Sequence, residues 1–120
     1  MESLSRVEII TSLPKVEELR NNLSKFEISG MTVFQALGCG VQYGTMEYEV
    51  EKKTEPTLLP KEMVMLVMPS REVEGFVKFV MEELYTGHIG DGKIFISDIS
   101  NVIRVRTGEE GYDAVAPQYK

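Results

Sequence analysis

Apolar positions along the chain alternate between the period of a strand and that of a helix. Residues 5–11, "SRVEIIT", are rich in β-branched side chains and read as a first strand. Ser12 and Pro14 then offer an N-cap and an early helical proline. Val16, Leu19, Leu23 and Phe26 recur at helical spacing, with Glu17, Glu18, Arg20 and Asn21 on the other faces. Gly30 closes this unit, and residues 31–38, "MTVFQALG", read as a second strand. Residues 39–58 show little apolar pattern. Residues 62–69, "EMVMLVMP", form a third strand that is apolar nearly throughout. Ser70 is placed to cap a second helix with a stripe of Val73, Phe76, Val77, Val80, Met81 and Leu84. Gly87 suits the left-handed position beyond its end. Residues 93–99, "KIFISDI", read as a fourth strand and residues 101–108, "NVIRVRTG", as a short fifth. The polar end, "EEGYDAVAPQYK", is expected to be mobile or bound to a partner.

The order is βαβ, a long loop, then βαβ. That is the α+β, ferredoxin-like split βαβ sandwich: an antiparallel sheet with both helices on one face, as right-handed crossovers require. In the third strand Met63, Met65 and Val67 alternate with Val64, Leu66 and Met68, so both faces are apolar. The helix-free face is therefore expected to be covered by further copies of the chain; a tail or loop folded over it is the alternative. A length of 120 residues suits one domain. Its body is drawn at residues 1–112, with the loop at 39–58 and a tail at 113–120.

Composition narrows the class. With 42% hydrophobic and 27% charged residues the chain is an ordinary globular sequence. No apolar run approaches the ~20 residues that span a bilayer, and the start "MESLSRVEII" has no basic-then-apolar signal, so a cytoplasmic protein is expected. The net charge of −6 argues against duplex nucleic acid, whose binding rests on phosphate neutralisation. An RNA-binding ferredoxin-like module would need aromatic residues on its central strands, which are missing. Cys39 is the one cysteine and has no internal partner. Paired with His88 it could be a nucleophile, but nothing suggests a third, orienting group.

Two glycine-rich stretches carry the candidate chemistry. "TGHIGDGKIF" (residues 86–95) joins the second helix to the fourth strand, and "GCGVQYG" (residues 38–44) leaves the second strand; together they hold six of the ten glycines. A helix end followed by a turn accounts for Gly87 and Asp91-Gly92 alone. A phosphate cradle accounts for more: Gly90 and Gly92 strip side chains from backbone that approaches something closely, consecutive N–H groups form an anion nest, and Lys93 follows as a point charge. Asp91 opposes this unless it points away. On strand period, Arg104 and Arg106 share one side, either as a pair that takes a polyanion or as charges guarding an edge strand.

These residues resemble the PII (P-II) nitrogen-regulatory signal proteins. "GMTV", "GCGVQYG", "LLPK" and above all "TGHIGDGKIFISDISNVIRVRTGEEG" carry the likeness, which runs from Arg6 to Gly111. The spacing from Met31 to Lys61 matches without insertion, so residues 39–58 correspond to the family's T-loop. The resemblance implies a homotrimer that binds ATP and ADP in clefts between subunits. It implies adenine contacts at Ile10, Thr32 and Val67. Phosphate contacts fall at Gly38, Cys39, Gly40, Val41 and Gln42 on one side and at Ile89, Gly90, Asp91, Gly92 and Lys93 on the other. Arg104 and Arg106 reach in from the neighbouring subunit. In many members Mg2+ and 2-oxoglutarate also bind; Gln42 matches the metal-ligating position, and Lys61 matches the lysine that pairs with the effector. Metal shared by both ligands would couple them positively, and ordering of the T-loop would select partners.

The loop departs from the family pattern. The position uridylylated in many relatives is Thr54, the serine phosphorylated in others is Lys52, and the arginine that plugs ammonium transporters is Val50. Ser12 replaces a basic residue at the end of the first strand. The reading is a non-catalytic regulator of a transporter, channel or metabolic enzyme, membrane-associated only through such a partner. Its variant is an ADP/ATP sensor without 2-oxoglutarate and with a non-ammonium transporter. A slow ATP hydrolase is the enzymatic alternative, with His88 and Asp91 as the only candidate bases.

Overall fold

The computed structural model describes residues 2–26, 28, 30–39, 58–88 and 91–116. Four strands build one antiparallel sheet in the order β2-β3-β1-β4. They are β1 (Leu4–Thr11), β2 (Thr32–Gly38), β3 (Leu59–Pro69) and β4 (Lys93–Ile99). Helix α1 spans Leu13–Arg20, α2 spans Val73–Leu84, and a one-turn α3 spans Tyr112–Val115. The βαββαβ order is the ferredoxin-like one. No described helix is long and apolar enough to cross a membrane.

Alternation along the strands divides the sheet into two unlike faces. Val7 and Ile9 of β1 with Val64, Leu66 and Met68 of β3 are buried against Val16 and Leu19 of α1 and Phe76, Val80 and Leu84 of α2. Both helices therefore cover the same face. Phe26 closes the core edge-on to Phe76, ring centroids 5.2 Å apart, with Phe79 beside both. Phe79 lies outside the stripe expected of α2, whereas Met81, expected within it, is exposed.

Three local features differ from the sequence reading. Helix α1 stops at Arg20 because Asn21 and Asn22 follow: the Asn22 side chain donates to the Glu18 carbonyl at 3.0 Å. Leu23 then opens a 3-10 turn, Leu23–Lys25. Ser12 and Ser70 occupy helix starts, but neither hydroxyl caps. The Ser12 carbonyl accepts Lys15 and Val16 N–H at 3.2 and 3.3 Å, and Ser70 pairs its hydroxyl with that of Ser5 at 2.7 Å. Gly87 has a φ of +84° but lies past Tyr85, where α2 already ends.

The expected fifth strand is a hairpin instead. Ile103 and Glu110 form an isolated bridge, and the Gly108 N–H returns to the Arg104 carbonyl at 2.8 Å. Gly108 and Gly111 both have positive φ and reverse the chain. Arg104 and Arg106 therefore do not share the side of a strand. The tail expected from residue 113 begins inside α3, which lies against β3 with Ala114 and Val115 buried.

Candidate functional site

The sheet face away from α1 and α2 carries every candidate residue that belongs to a strand. Cross-strand partners point to the same side, so register alone assigns them. Ile10 lies between Lys93 of β4 and Met63 of β3, and Met63 faces Phe34 of β2. Thr32 pairs with Met65, Val67 with Arg6, Lys61 with Ala36 and Gly38 with Leu59. Ile10, Thr32, Gly38, Lys61, Val67 and Lys93 thus share one face. Val67 is four residues along β3 from Met63, the partner of Ile10, or about 13 Å at the usual strand rise. A single chain does not close Ile10 and Val67 around one small ring.

One end of this face gathers Lys61, Lys93 and Gly38. A Cβ at Gly38 would lie 3.0 Å from Lys61 Cγ and 3.8 Å from its Cε, so the lysine stem runs across the bare backbone. Gly38 and Leu59 pair at this end, and Cys39, next along the chain, is exposed. Gly40, Val41, Gln42, Ile89 and Gly90 lie outside the described residues. So do Lys52, Thr54 and Val50.

The loop before β4 is shaped by its own contacts. Gly92 has a φ of +115°, and a Cβ there would meet the Ile10 carbonyl oxygen at 2.1 Å. The close approach expected of this glycine is thus to β1. The Asp91 carboxylate is turned onto the chain just beyond α2. Its Oδ2 accepts the Thr86 N–H at 2.9 Å and the Gly87 N–H at 3.2 Å, and its Oδ1 accepts the Thr86 hydroxyl. The Thr86 hydrogen bonds, helped by the Gly87 N–H and by His88, hold the Asp91 carboxyl below the usual carboxylate range. An acidified carboxylate with three donors is a poor general base. Behind this loop a cavity of about 140 Å³ is lined by Val80, Leu84 and Tyr85 of the α2 end and by Gly92, Lys93 and Ile94. Sequence periodicity gave no sign of it, because it opens only where the α2 end meets β4.

Arg104 is turned inward on its own hairpin. Nη1 pairs with Glu109 Oε1 at 2.7 Å and Nη2 donates to the Ala114 carbonyl at 3.0 Å. Glu109 also accepts the Thr107 hydroxyl at 2.8 Å. That hydrogen bond, with Arg104 and Arg106 nearby, keeps the Glu109 carboxyl below its ordinary value. Arg106 is exposed at the turn.

The family model described as Nitrogen regulatory protein P-II matches residues 4–109. The chain belongs to the P-II family. The P-II protein of Pasteurella multocida is 38% identical over 112 residues, 93% of this chain and 100% of that one. P-II 2 of Methanothermobacter thermautotrophicus is 41% identical over 101 residues, 84% of this chain and 88% of its own. Solved P-II-like structures agree: B. subtilis GlnK matches with a TM-score of 0.79 at 34% identity, over 94% of this chain and 99% of that one. A B. subtilis GlnK–ATP complex matches with the same score and identity, over 98% of its chain. This P-II chain is therefore a member of a nitrogen-regulatory family, with the family's fold over nearly its full length.

Proposed function

We propose that the chain is a non-catalytic regulator that binds ATP and ADP in clefts between the subunits of a homotrimer. The observation that carries this reading is the gathering of the six strand-borne site residues on the sheet face away from α1 and α2, with Lys61 and Lys93 at one end. The similarity to a GlnK–ATP complex supports it. The ~13 Å between the Ile10 and Val67 rows supports a shared site: Ile10 from one copy and Thr32 or Val67 from another can enclose an adenine that neither encloses alone. Lys93 and the backbone of residues 89–92 then meet the phosphates, opposite Gly38, Cys39, Gly40, Val41 and Gln42. Arg104 and Arg106 come from the neighbouring copy. The T-loop, residues 39–58, engages a transporter, a channel or a metabolic enzyme.

Mg2+ and 2-oxoglutarate enter this reading through Gln42 and Lys61. Among the described residues no three His, Cys, Asp or Glu side chains could hold a metal ion. A magnesium ion held with Gln42 would also take phosphate oxygens as ligands. The Lys61 stem, laid across Gly38, puts an ammonium at the root of the same loop. Titration calorimetry with ATP and ADP, each with and without Mg2+ and 2-oxoglutarate, tests the whole reading. Both nucleotides are expected to bind, and Lys93→Ala to weaken them about tenfold or more through loss of one charge-assisted contact. No heat from either nucleotide with the folded protein would end it. Heat from Mg-ATP but none from added 2-oxoglutarate would assign an ADP/ATP sensor without the carbon signal.

A further inference from the structure

Arg104 cannot serve a nucleotide in the position it holds here. Both terminal nitrogens of its guanidinium are committed within the chain, to Glu109 and to the Ala114 carbonyl, and its side chain is only 16% exposed. A phosphate takes a guanidinium through two parallel N–H bonds. To gain the Nη1–Nη2 edge it must displace both partners, and the Glu109 carboxylate, 2.7 Å from Nη1, repels it meanwhile.

We propose that Arg104 is a two-position latch: it pins α3 when the cleft is empty and releases α3 when it turns to a nucleotide. This rests on the reading above, in which Arg104 reaches the phosphates of a neighbouring site. The Ala114 carbonyl belongs to α3, whose four residues are too few to persist unaided. Burial of Ala114 and Val115 and the Tyr112 ring, 5.9 Å from Arg71 Cζ, also hold α3. Withdrawal of the guanidinium strips the carbonyl of a charged donor and leaves Glu109 with the Thr107 hydroxyl but without its ion-pair partner. Nucleotide occupancy then frees the C-terminal segment, a second output beside the T-loop. Because coupling is reciprocal, α3 docking weakens nucleotide binding by the same factor that nucleotide weakens docking.

Hydrogen exchange of the full chain, with and without ATP, tests the latch when calorimetry on the same samples reports occupancy. The Ala114 and Ala116 amides, bonded to Gly111 and Tyr112 carbonyls, are expected to exchange faster with ATP bound. Glu109→Gln is expected to bind ATP about fivefold tighter, the low end of ordinary coupling. Val115→Ser, which loosens α3 without touching a charge, is expected to tighten binding too; Tyr112→Ala replaces it if it does not fold. ATP uptake with unchanged or slower exchange at residues 112–116 would overturn the latch. So would tighter binding by Glu109→Gln alone, which would reduce the effect to removal of a repelling charge. Absence of ATP uptake by the unmodified protein is a separate result: it removes the nucleotide reading and the latch with it.

Discussion

A methyl group added at Gly92 would lie 2.1 Å from the Ile10 carbonyl, on backbone with a φ of +115°. Gly92→Ala is expected to cost well over ~1 kcal/mol, since the clash is with backbone and the conformation excludes a side chain. Gly75, inside α2, has only an ordinary contact at 3.9 Å to Phe26. Gly75→Ala is expected to add about 0.5–1 kcal/mol by restraining the unfolded chain. Urea midpoints of the two variants should move in opposite directions. Asp91 gives a pH-dependent signature. Its folded-state pKa is depressed from 3.8, so the staple it forms with Thr86 is intact above that value and is lost as pH falls through the lower, folded value. The Thr86 and Gly87 amide resonances should shift only in that acid range, and Asp91→Asn should abolish the transition. The sequence marked both residues as special. It could show that a side chain is missing at Gly92, but not that β1 fills the space.

At the scale of elements, Phe76 anchors α2 to the sheet: it is fully buried and edge-on to Phe26. Phe76→Ala is expected to cost about 3–5 kcal/mol, read as a fall in the thermal midpoint. The four strands and α2 were legible because their apolar periods are long and unbroken. Where the pattern failed, a local competitor won. Val16, Leu19, Leu23 and Phe26 keep helical spacing across the break at Asn21-Asn22, because a 3-10 turn also places residues three apart on one side. Strand β3 starts at Leu59, before the apolar run, since pairing with Gly38 requires no apolar side chain. Pro60 is tolerated there because β1 pairs only from Glu62 onward, leaving one side of β3 free. In the hairpin, Val105 reads as a strand residue but is 99% exposed at the turn, where Gly108 sets the reversal.

At the scale of the molecule, one sheet face is sealed by α1 and α2, and the other is partly exposed and partly apolar. Phe34, beside Met63, and Phe95, beside Glu8, are each 49% exposed there. A face of this kind asks for cover, and a charge buried within it should oppose assembly. Met65→Glu is expected to yield lone chains in sedimentation velocity with an unchanged far-UV spectrum. The apolar doubling of β3 made this face visible in the sequence; what covers it was not legible, because the register of a single chain says nothing of a neighbour. Native mass spectrometry with added ATP bears most directly on the shared cleft. Three chains carrying up to three nucleotides are expected, with Lys93→Ala trimers losing them. A single chain, or a trimer that takes up neither ATP nor ADP, would contradict it.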